Sequence, residues 1–374
     1  MLNAWKSLNL GEVVALEYGK PLAPEDRYPT GLYPAYGANG EKDRTDRFYR
    51  DQPSIIVGRK GSAGEITLTE EKYWPLDVTY FAEFERGRYD LKFLYYLLTT
   101  LDLPSLAKGV KPGINRNEVY AIPVMVPPLP EQLRIVAILD EAFEGIATAK
   151  INAEKNLQNS SELFDSRVRS LVSEQAEGSD RKTLREIAKD FGRGKSKHRP
   201  RNDPKLYGGP YPFIQTGDVR GSDHLITDYA QTYSQAGLAQ SKLWPKGTLC
   251  ITIAANIAET GVLDFDACFP DSVIGVVVDE RQTSSKYLEY MLQTVKAELK
   301  AKGKGSAQDN INLATFENER FPFPDLFTQA RIVESLDSLA AEIQRLEATY
   351  DNKLAALDEL KRSLLHQAFS GGLS

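Results

Sequence analysis

The chain has 374 residues, which predicts two or three globular units at roughly 100 to 200 residues per domain. Hydrophobic residues make up 41% and charged residues 26% of the chain. This ordinary composition excludes a largely disordered chain and a disulfide miniprotein. The net charge of −6 does not by itself favour a nucleic-acid partner.

Targeting signals and cysteine chemistry are also constrained by the sequence. No apolar run reaches the ~18 residues that span a bilayer, and the amino terminus lacks a signal-peptide pattern, so a cytoplasmic protein is expected. Cys250 and Cys268 are the two cysteines, beside three histidines, His198, His224 and His366. This set supports neither a disulfide framework nor an obvious zinc site. We expect two buried thiols, and histidines in a basic loop, on the surface and on a helix face, respectively.

The acidity is concentrated in two segments. Residues 131–178 carry a net charge of −4 and residues 325–374 a net charge of −3, so the remaining residues sum to +1. Both acidic segments are predicted to be helical. The rest of the chain can therefore concentrate basic residues locally.

In chain order, residues 1–128 form the first predicted globular domain. The apolar run Ser54–Val57 is bounded by proline and glycine, as in a buried strand, and Tyr89–Leu101 is helical in pattern. Residues 129–176 follow as a long helix with its linker. The linker itself is predicted at Ser173–Lys182, around Gly178 and Ser179.

The second predicted domain, residues 177–322, has similar contents, and residues 323–374 form a second long helix. Leu249–Ile253 and Val273–Val278 read as buried strands, and Lys286–Ala301 as a helix. The predicted fold class is α+β, with two similar mixed α/β domains joined by two long helices.

Both long helices have an apolar stripe with alternating three and four spacing, which is typical of coiled coils. Such a rod needs a partner, and we predict that the two helices pair antiparallel within the chain, rather than packing only on their own domains. Two charged residues of the first helix, Lys150 and Arg167, fall on the stripe. The apolar positions are Val136, Leu139, Phe143, Ile146, Ala153, Leu157, Phe164 and Leu171, then Val333, Leu336, Ala340, Ile343, Tyr350, Leu354, Leu357 and Leu364.

The chain also repeats itself. Gln132, Arg134 and Ile135 match residues 197 positions later, and the same offset holds through both long helices. Nearer the amino end Trp74-Pro75 pairs with Phe269-Pro270 at an offset of 195, and Tyr33-Pro34 matches Tyr211-Pro212 at an offset of 178. The second copy therefore has about 17 extra residues before its aromatic-proline pair, Phe269-Pro270. Two copies of one architecture suggest the same task performed on two objects.

Basic and polar residues gather in glycine-rich loops of both copies, as DNA contacts require. The densest run, residues 192–205, has a net charge of +5. A single such loop is ordinarily a solvated turn, but its recurrence favours double-stranded DNA. Arg59, Gln308 and Asn310 have the forked groups suited to base edges. The candidate contacts are Tyr36, Asn39, Lys42, Arg44, Arg59, Lys60, Ser62, Lys108, Lys111, Asn115 and Arg116 in the first copy, and Lys195, Lys197, Arg199, Arg201, Gln215, Thr216, Arg220, Asn256, Lys302, Lys304, Ser306, Gln308 and Asn310 in the second.

Enzyme motifs are incomplete. Residues 192–196 resemble the end of a phosphate-binding P-loop, but Lys189 stands where its first glycine is required. Pro270-Asp271 with Glu298-Leu-Lys300 has the letters of a metal-dependent nuclease, although the Glu and Lys fall on a predicted helix. No Asn-Pro-Pro-aromatic or Asp-Pro-Pro-aromatic tetrapeptide for base methylation occurs. We predict no catalytic residues and no metal site. A stand-alone nuclease or fused methyltransferase is the alternative, and a coiled-coil scaffold without DNA is a third hypothesis.

The order of these segments resembles the specificity subunit of type I restriction-modification enzymes. Each long helix starts with a proline shortly before Gln-x-x-Ile, ending at Ile135 and at Ile332, and the chain ends in the stretch Ser363–Gly372. The resemblance covers nearly the whole chain. It implies two target recognition domains that each read one half of a split DNA sequence.

The same resemblance implies partners. The two helices would space the domains and dock two methyltransferase subunits, and through them restriction subunits. The chain itself would bind no cofactor, since S-adenosylmethionine would belong to the methyltransferase. Which bases are read does not carry over, because the recognition loops diverge in this family.

Overall fold

The structure is a computed structural model that describes residues 5–176, 178–197, 200–222, 224–254, 258–304 and 313–372. It contains two compact units, Met1–Glu154 with Asp351–Ser374, and Lys155–Tyr350. Each unit holds a globular domain and segments of two long helices. None of the helices within these ranges has the length and apolarity needed to cross a membrane.

The first domain is built from short strands and two helices, and a long helix follows it. Its apolar core lies under α1, where Phe93, Leu94 and Leu98 are buried among the strand residues Ile55 and Val57. The elements are β1 (Lys6–Asn9), β2 (Ala15–Tyr18), β3 (Tyr33–Gly37), β4 (Gly40–Thr45), β5 (Ser54–Gly58), β6 (Ile66–Thr69), β7 (Trp74–Pro75), β8 (Thr79–Glu83), α1 (Leu91–Thr99), α2 (Arg116–Tyr120), β9 (Pro123–Val126) and α3 (Leu129–Ala176).

The second domain begins directly after α3. Its core contains Ile251, Ile274, Tyr287 and Leu288, together with Phe321. The elements are β10 (Asp180–Lys182), β11 (Ala188–Arg193), β12 (Tyr207–Phe213), α4 (Thr216–Gly221), β13 (Leu225–Ile226), β14 (Gln231–Tyr233), α5 (Gln235–Ala239), β15 (Leu243–Trp244), β16 (Leu249–Thr252), β17 (Thr260–Leu263), β18 (Ala267–Cys268), β19 (Val273–Val278), α6 (Ser285–Lys304), α7 (Leu313–Asn318), β20 (Phe321–Phe323) and α8 (Leu326–Ser370).

The two domains share one sheet topology. The first has sheets in the orders β2-β8-β5-β6, β4-β3-β7 and β1-β9, and the second has β11-β19-β16-β17-β13, β14-β12-β18-β15 and β10-β20. The second copy adds α4, β13, α5 and β15, which lie between Tyr211 and Phe269, the stretch where the sequence comparison placed about 17 extra residues. The predicted fold class is thereby confirmed.

Two local predictions need correction, and a third is confirmed. The linker predicted at Ser173–Lys182 is mostly structured, because α3 continues to Ala176 and β10 starts at Asp180. The helix predicted to end at Ala301 continues to Lys304. Cys250 and Cys268 are buried free thiols, as predicted.

The same close approach of two backbone segments occurs in each domain. A Cβ on Gly19 would lie 2.0 Å from the Leu76 carbonyl oxygen, and one on Gly194 would lie 2.2 Å from the Phe269 carbonyl oxygen. Any side chain would collide with this backbone, so glycine is required at both positions. The lysine after each glycine donates its N–H to the same segment, from Lys20 to Pro75 and from Lys195 to Phe269.

The two long helices run antiparallel. In the first unit Lys150 Nζ lies 2.5 Å from Asp358 Oδ1, and in the second unit Ser161 Oγ donates to Glu347 Oε1 at 3.4 Å. Later residues of α3 therefore meet earlier residues of α8. At about 1.5 Å per residue, the 48 residues of α3 and the 45 of α8 give rods of about 70 Å.

In the later part of α3, the buried residues differ in part from the predicted apolar stripe. Leu139 and Leu336 are fully buried, as expected of seam positions. Arg167 is exposed, however, and Val168 and Val172 are buried instead. Phe164, Val168 and Val172 are spaced by four, which rotates the stripe around α3 towards the second domain's core.

Each long helix starts with the same buried glutamine. The Gln132 side chain is 1% exposed, and its Nε2 donates to the carbonyls of Pro127 at 2.9 Å and Arg88 at 3.1 Å. Its Oε1 accepts from the Asp90 backbone N–H at 2.9 Å. One side chain thus ties the start of α3 to the segment that precedes α1.

Gln329 repeats this arrangement in the second unit. It is 1% exposed, and its Nε2 donates to the carbonyls of Pro324 at 2.8 Å and Gln282 at 3.0 Å. Its Oε1 accepts from Thr283 Oγ1 at 2.8 Å. This explains physically why a proline followed by Gln-x-x-Ile marks both helix starts.

A second repeated contact docks the domain helix on the long helix. Asp140 of α3 accepts from Lys92 Nζ at 2.7 Å and from Tyr96 OH at 2.5 Å. Asp337 of α8 accepts from Lys286 Nζ at 2.6 Å and Tyr290 OH at 2.9 Å. Burial would raise the pKa of Asp140, but the bonds from Lys92 and Tyr96 outweigh it and hold that pKa below its usual range.

Candidate DNA interface

In the first domain, backbone hydrogen bonds bring two of the predicted loops together. The Gly61 N–H donates to the Pro112 carbonyl at 2.9 Å, and the Ile114 N–H donates to the Arg59 carbonyl at 3.1 Å. Exposed Lys60, Ser62 and Lys111 therefore lie on one joined surface. We call residues 58–62 with residues 108–116 the paired loops.

The turn of the β3–β4 hairpin lies against the paired loops. A Cβ on Gly58 would lie 2.4 Å from the Ala38 carbonyl oxygen, so the hairpin turn approaches this glycine closely. Asn39 and Lys42 are exposed on that hairpin. Both candidate residues thus belong to the same side of the first domain as Lys60.

Three further candidates of the first copy have structural roles. Tyr36 is buried against Ile56 and Phe81. Arg44 donates to the carbonyls of Gly31 at 2.8 Å and Leu32 at 2.9 Å, which fixes its own loop. Asn115 caps α2, because its side chain accepts from the Asn117 N–H at 2.9 Å.

Two charged candidates of the paired loops are also engaged. Lys108 forms an ion pair with Glu118 at 2.8 Å. Arg59 donates from Nη2 to the Asp77 carbonyl at 2.5 Å. Lys60 and Lys111 are thus exposed lysines of the paired loops that form no ion pair with another described residue.

The first domain also contains a residue that sequence reasoning missed. This residue is Tyr18, the last residue of β2, which is 47% exposed. Its ring lies beside both Arg59 and Arg116. Their guanidinium carbons are 5.3 Å and 4.9 Å from the ring centroid. Tyr18 precedes Gly19-Lys20 as Arg193 precedes Gly194-Lys195, so a comparison of the copies extended further towards the amino end would have found it.

The basic run of the second domain, residues 192–205, contains exposed lysines and arginines that bind Asp271. Lys195 and Lys197 are exposed. Arg201 binds the Asp271 carboxylate at 2.9 Å, and the Arg193 Nε donates to the Asp271 carbonyl at 2.6 Å. The run is therefore anchored at Asp271 while its lysines project into solvent.

The other candidates of the second copy are more scattered. Gln215 donates to Gln231 Oε1 at 2.8 Å at the start of α4, where Thr216 also lies, and Arg220 is exposed in the last turn of that helix. Lys302 and Lys304 belong to the helix α6 and not to the loop that was predicted there. Five candidates lie outside the described residues: Arg199, Asn256, Ser306, Gln308 and Asn310.

His224 is not the plain surface residue that was predicted. Its Nδ1 lies 2.7 Å from Glu289 Oε2, and the Glu289 side chain is only 2% exposed. Glu289 Oε1 also accepts from Thr260 Oγ1 and Gln293 Nε2, each at 2.9 Å. This network attaches the inserted segment to α6. His366 is exposed on α8, and His198 lies outside the described ranges.

The enzyme alternatives gain no geometric support. Gly192 and Arg193, which open the P-loop-like stretch, lie on strand β11 and not at a helix start. Asp271 of the nuclease-like set is held by Arg201, and Glu298 and Lys300 lie along α6. In the parts of the chain that the structure describes, no cluster of three His, Cys, Asp or Glu residues could hold a metal ion.

The free lysines of the second domain give a direct test of phosphate contact. Replacing Lys195 and Lys197 by alanine should weaken binding to all DNA sequences almost equally and reduce the salt-dependence slope by roughly one unit per lost contact. The measurement is a titration of the assembled complex with fluorescent duplexes at several salt concentrations. Lys246, whose side chain pairs with Asp264 at 2.6 Å, is the control. An unchanged slope would place both lysines away from DNA.

Comparisons with known proteins agree with this architecture. The family described as type I restriction modification DNA specificity domain matches residues 3–157 and again residues 177–356. A putative type I restriction enzyme specificity subunit of Haemophilus influenzae is 26% identical over 346 residues, covering 89% of this chain and 86% of the relative. A type I restriction enzyme specificity subunit of Escherichia coli is 28% identical, covering 66% of this chain and 62% of the relative.

Solved structures show the same fold. A chain from a type I R-M system, described for its complex assembly and conformational transition, matches with a TM-score of 0.78 and 19% identity, covering 99% of both chains. The HsdS subunit of Thermoanaerobacter tengcongensis matches with a TM-score of 0.63 and 20% identity, covering 99% of this chain and 98% of that one. With two domain matches that together span most of its length, the chain belongs to the family of type I restriction-modification DNA specificity subunits.

Proposed function

We propose that the chain reads a bipartite DNA sequence as the specificity subunit of a type I restriction-modification complex. Residues 1–128 would read one half-site and residues 177–322 the other. Residues 129–176 and 323–374 would space the two domains and dock two methyltransferase subunits, with restriction subunits joining indirectly. This complex would act in the cytoplasm, where DNA and S-adenosylmethionine are both present.

The main support for this proposal is the repeated structure of the chain. The same domain topology occurs twice, and each copy is fixed to a long helix by the same buried glutamine and the same Lys-Tyr-Asp contact. A duplicated scaffold with different loops is what two different half-sites require. The paired loops of the first domain and the exposed lysines near Gly194 in the second supply the basic surface.

The decisive experiment is co-expression of the chain with its methyltransferase subunits, followed by genome-wide mapping of methylated bases. A split sequence with a fixed unread gap supports the proposal. Methylation without the chain, or methylation of a continuous sequence, contradicts it. A stand-alone methyltransferase or nuclease would instead act without partners.

Cofactor binding separates these hypotheses at the level of the isolated chain. We expect isothermal titration of the purified chain with S-adenosylmethionine to show no stoichiometric heat, because no set of residues for methyl transfer was found in the sequence. The same titration of the assembled complex should show binding through the methyltransferase subunits. Stoichiometric binding to the chain alone would overturn the assignment of the cofactor to the partner.

A further inference from the structure

The contacts around Tyr18 distinguish the two arginines beside it. The Nη2 of Arg59 donates a hydrogen bond to the Asp77 carbonyl, and its Nε is buried without a hydrogen-bond partner. An arginine reads guanine through two neighbouring N–H groups that reach the O6 and N7 acceptors together. Arg59 therefore lacks a freely accessible Nε–Nη2 edge.

Arg116 has the opposite arrangement. Its Nη1 donates to the Leu16 carbonyl at 3.2 Å, which leaves the Nε–Nη2 edge for other partners. It occupies the first position of α2, directly after the capping residue Asn115. The side chain is half-buried, so the ring of Tyr18 and the Leu16 carbonyl restrict its rotation before any ligand arrives.

Such restriction has an energetic consequence. A free arginine side chain loses rotamer entropy when it is fixed, and a side chain that is already held loses less on binding. The neighbouring Lys60 and Lys111 are exposed and attract phosphates to the same surface. The arrangement at Tyr18 thus holds a forked hydrogen-bond donor next to exposed positive charge.

We propose that Arg116 reads a base of the first half-site through its Nε–Nη2 edge, most simply a guanine, and that Tyr18 is the positioning residue that holds it. Arg59 then supports Tyr18 and is not the reading group. This inference rests on the proposed function, since it names the reading residue of the same interface. It differs from the sequence prediction, which favoured Arg59.

The test uses the complete complex with its methyltransferase subunits, first with the wild-type chain to define the methylated sequence. Arg116→Lys keeps the charge but removes the forked edge. We expect it to relax one position of the first half-site, with preference for the original base reduced roughly 5- to 150-fold. The second half-site and the gap should stay unchanged.

Tyr18 variants separate positioning from stability. Tyr18→Leu should relax the same base position by a smaller factor, and Tyr18→Phe, which keeps the ring, should restore it. Arg86→Lys is the matched control, because Arg86 also stacks on an aromatic ring, Phe84, and donates to one carbonyl, that of Pro53 at 2.6 Å. The control should leave the methylated sequence unchanged.

If a variant loses methylation altogether, its DNA binding is measured instead with purified complexes. The ratio of dissociation constants for the cognate duplex and for one substituted at the affected position should fall with Arg116→Lys and hold with Arg86→Lys. Equal weakening of both duplexes, an unchanged methylated sequence, or relaxation in the second half-site would each overturn the proposal. No split methylated sequence from the wild-type complex would overturn the proposed function as well.

Discussion

Replacing Gln132 by alanine is expected to destabilise the first unit by about 3 to 5 kcal/mol. The substitution leaves the Asp90 N–H and the carbonyls of Pro127 and Arg88 without their partner, where the Pro127 bond is buried and the other two are partly buried. Each buried group that loses its hydrogen bond costs about 1 to 3 kcal/mol, and the lost side-chain volume adds a cavity term. The melting temperature of this unit should fall by roughly 10 °C.

Gln158 provides the matched control for this experiment. It is another glutamine of α3, but it is exposed and bonded only to Glu162, one turn further on, at 2.8 Å. Gln158→Ala should change stability by less than about 0.5 kcal/mol. Thermal unfolding of the purified chain followed by circular dichroism compares the two. Similar melting temperatures for both variants would show that the buried glutamine does not hold the helix start.

Gln329→Ala should have a comparable effect on the second unit, since Gln329 donates to two corresponding carbonyls there and accepts one hydrogen bond, from Thr283 Oγ1. The two substitutions should act on different unfolding transitions, because their contacts lie in different units. Sites without shared partners usually contribute additively. A double variant that is no worse than either single variant would contradict this independence.

The sequence predicted the elements that depend on short spacing. Leu139 and Leu336 each belong to an apolar stripe with coiled-coil spacing on their own helix, and both are buried. Gln132 and Gln329 occur at the same distance after a proline, and each donates to the carbonyl of that proline. Periodicity and repeat offsets are local properties of a sequence, so they can be seen without knowing which strands pair.

The parts that escaped prediction depend on contacts between distant residues. His224 meets Glu289, 65 residues away, only because the inserted segment folds onto α6. Tyr36 carries a polar hydroxyl on a hairpin near the paired loops, but its ring lies in the core. Arg59 had the right residue type for a base edge, yet the Asp77 carbonyl occupies part of its donor set. Residue type alone does not show which donors are already used.

Deleting one heptad from each long helix is expected to change which DNA sequence is methylated. Two reading domains held by a rigid spacer must meet the major groove on compatible faces, so we expect half-sites about one helical turn apart, roughly 10 base pairs centre to centre. The deletions Asn152–Gln158 and Thr349–Ala355 lie between the Lys150–Asp358 pair and the Ser161–Glu347 pair. They therefore remove equal lengths from both helices at matching places.

Removal of seven residues keeps the apolar stripe in phase and shortens each helix by about 10 Å. Since successive base pairs are about 3.4 Å apart along the DNA axis, this length corresponds to roughly three base pairs. The double deletion should keep both half-sites and lose base pairs from the gap, or binding should cease. Deleting only Asn152–Gln158 is the control, because it breaks the register between the helices and should abolish activity. A double deletion that still methylates the original gap at full rate would show that the helices do not set the spacing.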